Sequence, residues 1–552
     1  MSLINQFRPY PLFILVLAFV LSMPVVVVLA HVFVPSGDIW QHLSSTVLPD
    51  YIRNSLLLML GVAIGTLLIG VTTAWLTTMC QFPGRSVFEW ALLLPMAMPA
   101  YIIAYTYTGM LDISGPVQMA LRDWFGWQYG DYWFPQIRSL NGAVVMLTLV
   151  LYPYVYLLSR AAFLSQSICV LDVSRTLGNG PWKTFWRVAM PLARPAIIAG
   201  LSLALMETLA DYGTVQFFGV STFTTGIFRT WFGMGSAAAA AQLAAGLMVF
   251  VFALIILERY SRRKARYHHT SRRHQDLRRF QLTGGRAALA FLFCLVILSL
   301  GFLLPALQLL SWTVHVADTV IDAQFLRLLM NSLSLAAFAA VLALILAIVM
   351  AYAQRLYPGK LVSGAVRVAG MGYAVPGAVI AVGVMIPFAW FDNTVDDLAR
   401  SHFDYSTGLL LSGTLVAVTF AYLTRFLAVS LQTVDSGLTR ITHSMDEAGR
   451  SFGFRPLQIL RQIHIPMLSA SLMTALLLVF VDVLKELPAT LILRPFNFNT
   501  LAVKAYELAS DERLAEAAPA ALAIVIAGII PVILLSKTIT RSRKLKLAID
   551  EN

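Results

Sequence analysis

Apolar segments of about twenty residues recur along the whole of this 552-residue chain. A helix of that length crosses the hydrocarbon core of a bilayer, where the chain must satisfy its own backbone polar groups. The residues are 58% hydrophobic and 12% charged, whereas soluble domains carry about 25% charged residues. A transmembrane β-barrel would alternate over segments of about ten residues, and the chain lacks that alternation. The sequence therefore predicts an all-α integral membrane protein.

The apolar windows predict about twelve transmembrane helices, six on each side of a basic segment near the middle of the chain. The first window is interpreted as a membrane span because its apolar part is longer than that of a signal peptide and no A-x-A cleavage site follows. The predicted spans are 11–34, 54–79, 87–110, 140–164, 194–218, 236–257, 287–312, 331–354, 364–391, 407–431, 468–492 and 517–536.

The densest run of basic residues is Arg259–Arg279 (RYSRRKARYHHTSRRHQDLRR), and the net charge of the chain is +12. Its place between two apolar blocks is typical of a cytoplasmic loop next to membrane lipids rather than of a nucleic-acid site. With the N-terminus in the cytoplasm, most Lys and Arg residues face the cytoplasm, so both termini are predicted there. The three cysteines are far apart, and no Cys-His cluster has the spacing of metal ligands.

The two halves of the chain repeat each other. The segment DVSRTLG, which ends at Gly178, recurs as EAGRSFG, which ends at Gly453, 275 positions later. At the same offset Pro181 corresponds to Pro456. Because each half has an even number of spans, both halves insert the same way up, as parallel repeats. The predicted parts are a first repeat at 1–258 with a loop at about 165–192, a linker at 259–286, a second repeat at 287–536 with a loop at about 440–467, and a cytoplasmic tail at 537–552.

In each copy of the loop an acidic residue is followed by a small residue, four further residues and a glycine. A first proline follows the glycine, and a second proline lies near the next span. The glycine permits a turn with positive φ, the first proline starts a helix, and the second ends the loop before the span. This pattern resembles the EAA loop of ABC-type importer permeases, each of which docks an ATPase subunit through a short cytoplasmic helix. The first copy departs from the family, with Asp-Val-Ser where the family has Glu-Ala-Ala. The docking residues that the resemblance implies are Asp172, Gly178, Pro191, Glu447, Ala448, Gly453 and Pro466.

No G-x-x-x-x-G-K-[ST] motif occurs, so the chain has no Walker A cradle for ATP. The resemblance therefore implies a permease subunit with the type I ABC importer fold and no enzyme activity of its own. ATP would bind to separate cytoplasmic subunits, and two docking loops imply two copies of the ATPase. No tightly bound cofactor is expected.

Two acidic pairs interrupt long apolar runs. The segment LMETLADYGTV contains Glu207 and Asp211, and FVDVLKELPAT contains Asp482 and Glu486, again 275 positions later. Residues four apart share one face of a helix. An ionised side chain within a membrane is costly and is a candidate functional residue. The structural alternative is an intramembrane salt bridge or contact between helices, with Lys485, Arg494 or Lys504 as basic partners.

Four carboxylates with Tyr212 nearby offer hard oxygen ligands along a substrate path. Such ligands suit a hard cation better than a sugar, an anion or an apolar solute. Ferric ion is one candidate, bound transiently by Glu207, Asp211, Asp482 and Glu486, and the ligand set leaves a polyamine or another cation open.

The segments that begin at Glu207 (ETLADYGTVQFFGVSTFTTGIFRTWF) and at Asp482 (DVLKELPATLILRPFNFNTLAVKAYELASDERLAEAAPAALAI), with the duplicated layout, resemble the ferric-iron permeases of bacterial ABC importers. The resemblance covers nearly the whole chain. It implies ferric ion as substrate, delivered by a periplasmic iron-binding protein to a permease in the bacterial inner membrane. Thiamine permeases share the fused layout, and a proton-coupled secondary transporter is a rival that would need no docking loops.

The segments 111–139 and 493–516 are candidate docking surfaces for the binding protein. The first is rich in aromatic residues (DWFGWQYGDYWFPQ), a composition that equally suits an aromatic belt at the membrane surface.

Overall fold

The computed structural model describes residues 9–128, 130–165, 180–263 and 279–550. Within these ranges eleven helices are long and apolar enough to cross a membrane, and twelve if one bent pair counts as a single span. The prediction of about twelve helical spans is therefore confirmed.

The helices of the first half are α1 Pro9–Ala30, α2 Asp38–Thr46, α3 Leu48–Met79, α4 Arg85–Ala91, α5 Ala100–Leu111, α6 Pro116–Phe125, α7 Leu140–Ser165, α8 Pro181–Thr184, α9 Met190–Ala210, α10 Gly213–Phe217, α11 Phe223–Phe228 and α12 Ala237–Arg263. Those of the second half are α13 Gly285–Leu298, α14 Leu304–Val320, α15 Ala323–Leu356, α16 Lys360–Ala369, α17 Gly377–Phe403, α18 Leu415–Leu438, α19 His443–Ser451, α20 Pro456–Ile459, α21 Ile465–Leu484, α22 Pro488–Leu493, α23 Leu501–Ser510 and α24 Leu514–Asp550. Tighter 3₁₀ turns lie at His31–Phe33, Leu94–Ala97 and Gly372–Ala374, and wider π turns at Phe185–Ala189, Arg229–Gly233, Ser299–Leu303 and Leu460–His464.

Prolines break the third predicted span of each half. The window 87–110 is a pair of helical segments, Arg85–Ala97 and Ala100–Phe125, that meet at 92°. The window 364–391 covers the last part of α16 and only the first part of α17, which begins after Pro376. Proline lacks a backbone N–H and keeps the residue before it out of the helical region, so α5 and α17 each begin directly after one. The hydropathy of the sequence does not distinguish the two helices on either side of each break, so it predicts one continuous span.

The chain forms two compact units, and each takes segments from both halves of the sequence. The first unit contains Met1–Gln41, Ile227–Gly246 and Ile321–Lys504. The second unit contains His42–Gly226, Leu247–Val320 and Ala505–Asn552. The repeats predicted at 1–258 and 287–536 describe the duplication of the sequence, whereas the packing exchanges helices between the halves.

In the first unit, α1 packs against α17 and α16. At Gly383 of α17 an added Cβ would lie 2.2 Å from the carbonyl oxygen of Pro24 in α1. A glycine is therefore required for the two backbones to pack this closely, as is common between membrane helices. The core of this unit contains Ile14, Ala347, Met350, Leu427 and Val434.

In the second unit, α3 packs along α7. Gly61, Gly65 and Gly70 form a stripe on α3, and an added Cβ at each would lie within 2.8 Å of a side-chain atom of α7. A two-residue strand β1, Cys80–Gln81, pairs in parallel with β2, Phe280–Gln281. This pairing ties the end of α3 to the last part of the predicted basic linker. The linker's residues 264–278 lie outside the described part, and α24 continues through the predicted tail as far as Asp550.

Candidate functional site

The helix ends between the two acids of each pair. In the second unit α9 ends at Ala210, and the backbone of Asp211 is extended, with φ −67° and ψ 129°. In the first unit α21 ends at Leu484, and Glu486 lies before α22. The spacing alone predicts that the acids of a pair share one helical face. In the structure they do not. Each pair has one acid on the long helix and one in the break that follows it.

Asp211 caps the short helix α10. One oxygen of its carboxylate, Oδ1, accepts the backbone N–H groups of Thr214 and Val215, each at 3.1 Å. The other, Oδ2, accepts the hydroxyl of Thr214 at 3.0 Å. A carboxylate at the start of a helix satisfies N–H groups that have no partner within the helix and interacts favourably with the helix dipole.

Glu486 makes the same kind of cap for α22. Its Oε1 accepts the backbone N–H of Ala489 at 3.0 Å. Its Oε2 accepts the backbone N–H of Thr490 at 3.0 Å and the hydroxyl of Thr490 at 2.8 Å. Ala489 and Thr490 correspond to Thr214 and Val215 at the 275-residue offset. The duplication has thus preserved a carboxylate-capped helix after the break in both units.

Among the described residues, Glu486 has a further partner that Asp211 lacks. Nη1 of Arg425, on α18, donates to Oε1 of Glu486 at 2.9 Å, and the two side chains are 10% and 1% exposed. The position equivalent to Arg425 in the first half is Val150. An added Cβ at Gly377 would lie 2.5 Å from both Nη1 of Arg425 and Oε1 of Glu486, so the glycine leaves room for this ion pair.

The two acids on the long helices have different surroundings. Asp482 forms an ion pair with Lys485, with Nζ 2.8 Å from Oδ1. Glu207 is half-buried on α9 and makes no hydrogen bond or ion pair within the described residues. Tyr212 is buried, and its ring centre lies 5.8 Å from that of Tyr506 in the same unit. No group of three or more His, Cys, Asp or Glu residues with the geometry of a metal site occurs in the described ranges.

The second predicted docking loop contains α19, a turn and α20. Glu447 and Ala448 lie on the exposed face of α19. Gly453 follows the helix with φ +81°, which confirms the predicted positive-φ turn. Its N–H donates to the carbonyl of Arg450 at 2.9 Å, and the N–H of Phe454 donates to that of Gly449 at 3.0 Å. These bonds satisfy carbonyl groups at the end of the helix.

The first predicted docking loop is described only in part. Asp172 and Gly178 lie outside the described residues. Pro181 begins α8, and Pro456 begins α20, as the sequence predicts.

The second proline of each loop does not end the loop. Pro191 and Pro466 lie in the first turn of α9 and α21, and each follows a π turn, Phe185–Ala189 or Leu460–His464. Proline has no backbone N–H to donate a hydrogen bond to the carbonyl four positions earlier. In both cases that carbonyl lies inside the π turn. The wider turn therefore carries the helix past the proline, and the loop is continuous with the span.

Arg425 is not among the basic partners that the sequence predicts for the acids, which are Lys485, Arg494 and Lys504. The available signal was an arginine inside the apolar segment AYLTRFLAVS of α18. A cation at membrane depth requires a partner. Which acid is that partner depends on how α18 packs, and sequence spacing does not supply this information.

Comparison with known proteins identifies the class that this fold and these loops define. The model of the binding-protein-dependent transport system inner membrane component family matches the chain twice, at residues 66–267 and 343–544. Together the matches cover more than half of the chain, which therefore belongs to this family. It is a multi-pass membrane permease subunit, and the duplication inferred from the sequence is confirmed.

Individual relatives include permeases for iron and for molybdenum. An Fe(3+)-transport system permease protein, FbpB 2, of Haemophilus influenzae is 28% identical over 495 residues, 88% of this chain and 90% of the relative. A ferric transport system permease protein, FbpB, of Actinobacillus pleuropneumoniae is 22% identical over 80% of this chain and 64% of the relative. The molybdenum transport system permease protein ModB of Escherichia coli K12 is 30% identical over 149 residues, 27% of this chain and 62% of the relative.

Proposed function

We propose that this chain is the permease subunit of an ATP-driven importer that moves ferric ion across the bacterial inner membrane. The observation that carries the proposal is the similarity to a Fe(3+)-transport permease over 88% of this chain and 90% of that relative. The similarity to a molybdenum permease covers only 27% of this chain. Both halves of the chain therefore share the organisation of the ferric permease.

The proposed assembly has three further components. A periplasmic iron-binding protein delivers the ion, and two copies of a cytoplasmic ATPase bind ATP and dock on the two loops. Both termini are placed in the cytoplasm, since this orientation puts most Lys and Arg residues there. ATP-driven closure of the ATPase pair moves the docking loops, and the continuity of the second loop with α21 supports transmission of that movement into the span. The candidate path residues are Glu207, Asp211, Tyr212, Asp482 and Glu486.

Uptake of radioactive ferric ion tests this proposal. The chain is expressed with its ATPase and binding protein in a strain without other ferric importers, and the initial rate of uptake is compared with that of an empty vector. Ferric uptake is expected to require ATP and to persist when the proton gradient is collapsed. Thiamine, spermidine, molybdate and sulfate are assayed in parallel. Accumulation of one of these instead of iron would contradict the substrate assignment, and uptake that stops with the proton gradient would favour a secondary transporter.

The Gly453→Val substitution is expected to weaken binding of the ATPase by about tenfold. A left-handed backbone conformation costs an L-residue about 1–2 kcal/mol, and a β-branched residue is particularly unfavourable there. The end of α19 would shift, and with it the exposed face that carries Glu447. The measurement is the affinity of the purified permease for the ATPase.

The control for this substitution is Gly453→Asn, because asparagine tolerates positive φ. It should bind the ATPase nearly as well as the unaltered permease. Equal affinities for the Val and Asn variants would show that the conformation at Gly453 does not shape the docking surface.

A further inference from the structure

The docking helix α19 has a buried face with a charged residue on it. Asp446 is buried beside Gly449, whereas the neighbouring Glu447 and Ala448 are exposed. The two oxygens of the Asp446 carboxylate have different partners within the first unit. Oδ2 accepts a hydrogen bond from the Nε–H of Arg355 at 2.8 Å, and Oδ1 lies 2.6 Å from Nε2 of His464.

Arg355, at the end of α15, binds three consecutive parts of the chain. Besides Asp446, its guanidinium donates to the carbonyl of Leu438 at 2.7 Å and to that of Ile441 at 2.9 Å. The end of α18, the turn after it and the docking helix are therefore fixed to one side chain. Burial alone would raise the pKa of Asp446, but the hydrogen bonds from Arg355 and His464 outweigh it and hold that pKa below its usual range. The carboxylate is therefore charged at neutral pH.

His464 connects the same carboxylate to the span that follows. It is fully buried in the π turn that precedes α21. Its ring packs edge-on against Tyr352, with centroids 5.6 Å apart, and the hydroxyl of Tyr352 donates to the carbonyl of Pro456 at 2.6 Å. Asp446 thus connects the docking helix both to α15 and to the π turn that leads into α21.

The first half of the chain lacks these three residues. At the 275-residue offset, Arg355, Asp446 and His464 correspond to Cys80, Leu171 and Ala189. None of the three carries a charge at neutral pH that could form the same contacts. The difference is therefore chemical and does not depend on how the first loop is arranged.

We propose that Asp446, Arg355 and His464 form an ionic latch that couples the second docking helix to the membrane spans, and that the two docking loops are consequently unequal. The latch holds α19 in place on its buried face while the exposed face remains free for a protein partner. The second loop then transmits more of the ATPase movement than the first. This inference rests on the proposed function only in that an ATPase docks on the loops. The three side chains are positioning residues, since none of them lies on the exposed face.

The Asp446→Asn variant of the full permease, assembled with the ATPase in liposomes, tests the latch. Binding of the ATPase should be nearly unchanged, while the amount of substrate taken up per ATP hydrolysed should fall about tenfold, because a charged hydrogen-bonded pair is lost. The matched control is Glu447→Gln, one residue away on the exposed face, which should weaken binding instead. Equal loss of binding in the two variants would overturn the latch, because Asp446 would then shape the docking surface.

A chemical rescue keeps the proposal testable if Asp446→Asn folds poorly. In a variant whose native cysteines are replaced, Arg355→Cys and Asp446→Cys are joined by a short bis-maleimide. Coupling should be low before cross-linking and should recover afterwards, an outcome that a merely structural role would not produce. Failure of the cross-linked protein to recover would contradict the latch. Absence of iron transport by the unaltered permease, with ATPase binding intact, would instead contradict the proposed substrate.

The inequality of the loops has its own test. Glu447→Arg and Asp172→Arg replace a negative charge with a positive one at equivalent positions of the two loops. The change in the second loop should reduce uptake about threefold more than the change in the first, because the sequence of the first half lacks the three latch residues. Equal losses of uptake would overturn the inequality.

Discussion

Replacing Glu486 with alanine is expected to destabilise the protein by about 3–5 kcal/mol, because the change leaves a buried arginine without its carboxylate. The Glu486 side chain is 1% exposed, and that of Arg425 is 10% exposed. The same substitution removes the acceptor for the N–H groups of Ala489 and Thr490 at the start of α22. The measurement is the midpoint of thermal unfolding in detergent, together with the abundance of the protein in the membrane.

Asp211→Ala provides the matched control for this prediction. It removes an equivalent helix cap, since Asp211 accepts the N–H groups of Thr214 and Val215. In the part of the chain that the structure describes, this change leaves no arginine without its carboxylate. The expected cost is that of a lost cap, about 1 kcal/mol. The difference between the two alanine variants therefore isolates the ion pair. Equal unfolding midpoints would contradict the role assigned to Arg425.

A double substitution separates the charge from the packing. Arg425→Leu combined with Glu486→Gln removes both charges and should recover part of the stability lost in Glu486→Ala, because replacing a buried ion pair is far less costly than breaking it. No recovery would indicate that the capping bonds of Glu486, rather than the ion pair, dominate. Stability should be compared at fixed detergent and protein concentration.

The location of Glu486 changes what can be learned from substitutions in the acidic pairs. A variant with all four acids changed to amides would lose iron uptake whether the acids bind the ion or only hold the fold. Glu486 and Asp211 each cap a short helix, so their amides affect structure as well as charge. Glu207 and Asp482 lie on the long helices and do not cap one. Only these two acids allow a role in transport to be tested without a comparable change in the fold.

The spans were predictable because their length is set by the bilayer and their composition by the absence of water. The duplication was predictable because the offset between DVSRTLG and EAGRSFG also aligns the acidic pairs and the prolines. The helix breaks at Asp211 and Glu486 were not, because the apolar pattern continues through them. A carboxylate followed by Thr214 or Thr490 three or four positions later is a capping signal that hydropathy does not register.

Tertiary partners account for the rest of what sequence reasoning missed. Arg425 lies 61 residues before Glu486, and Arg355 lies 91 residues before Asp446. Neither pairing follows from a periodic pattern, since each depends on which helices are neighbours in the first unit. The π turns before Pro191 and Pro466 have a local cause, the missing N–H of proline. Their repetition shows that the same solution was kept in both halves.

Replacing Glu207 with glutamine is expected to lower the initial rate of ferric uptake by about tenfold, equivalent to about 1.4 kcal/mol, without changing the abundance of the protein. The carboxylate has no hydrogen-bond or ion-pair partner within the described residues, so the amide breaks no contact of the fold. It removes a negative charge that a passing cation would meet on α9. The rate should be measured over a range of concentrations of the loaded binding protein, with ATPase assembly checked in the same preparation.

Asp482→Asn is the equivalent change in the second half and should have the smaller effect. Asp482 is already paired with Lys485 at 2.8 Å, so this position presents a neutral pair to a cation, whereas Glu207 presents a net negative charge. Glu207→Asp, which keeps the charge, should restore most of the uptake lost in Glu207→Gln. Wild-type uptake by Glu207→Gln would remove this carboxylate from the substrate path. A larger loss in Asp482→Asn would reverse the assignment and place the more important acid beside Lys485.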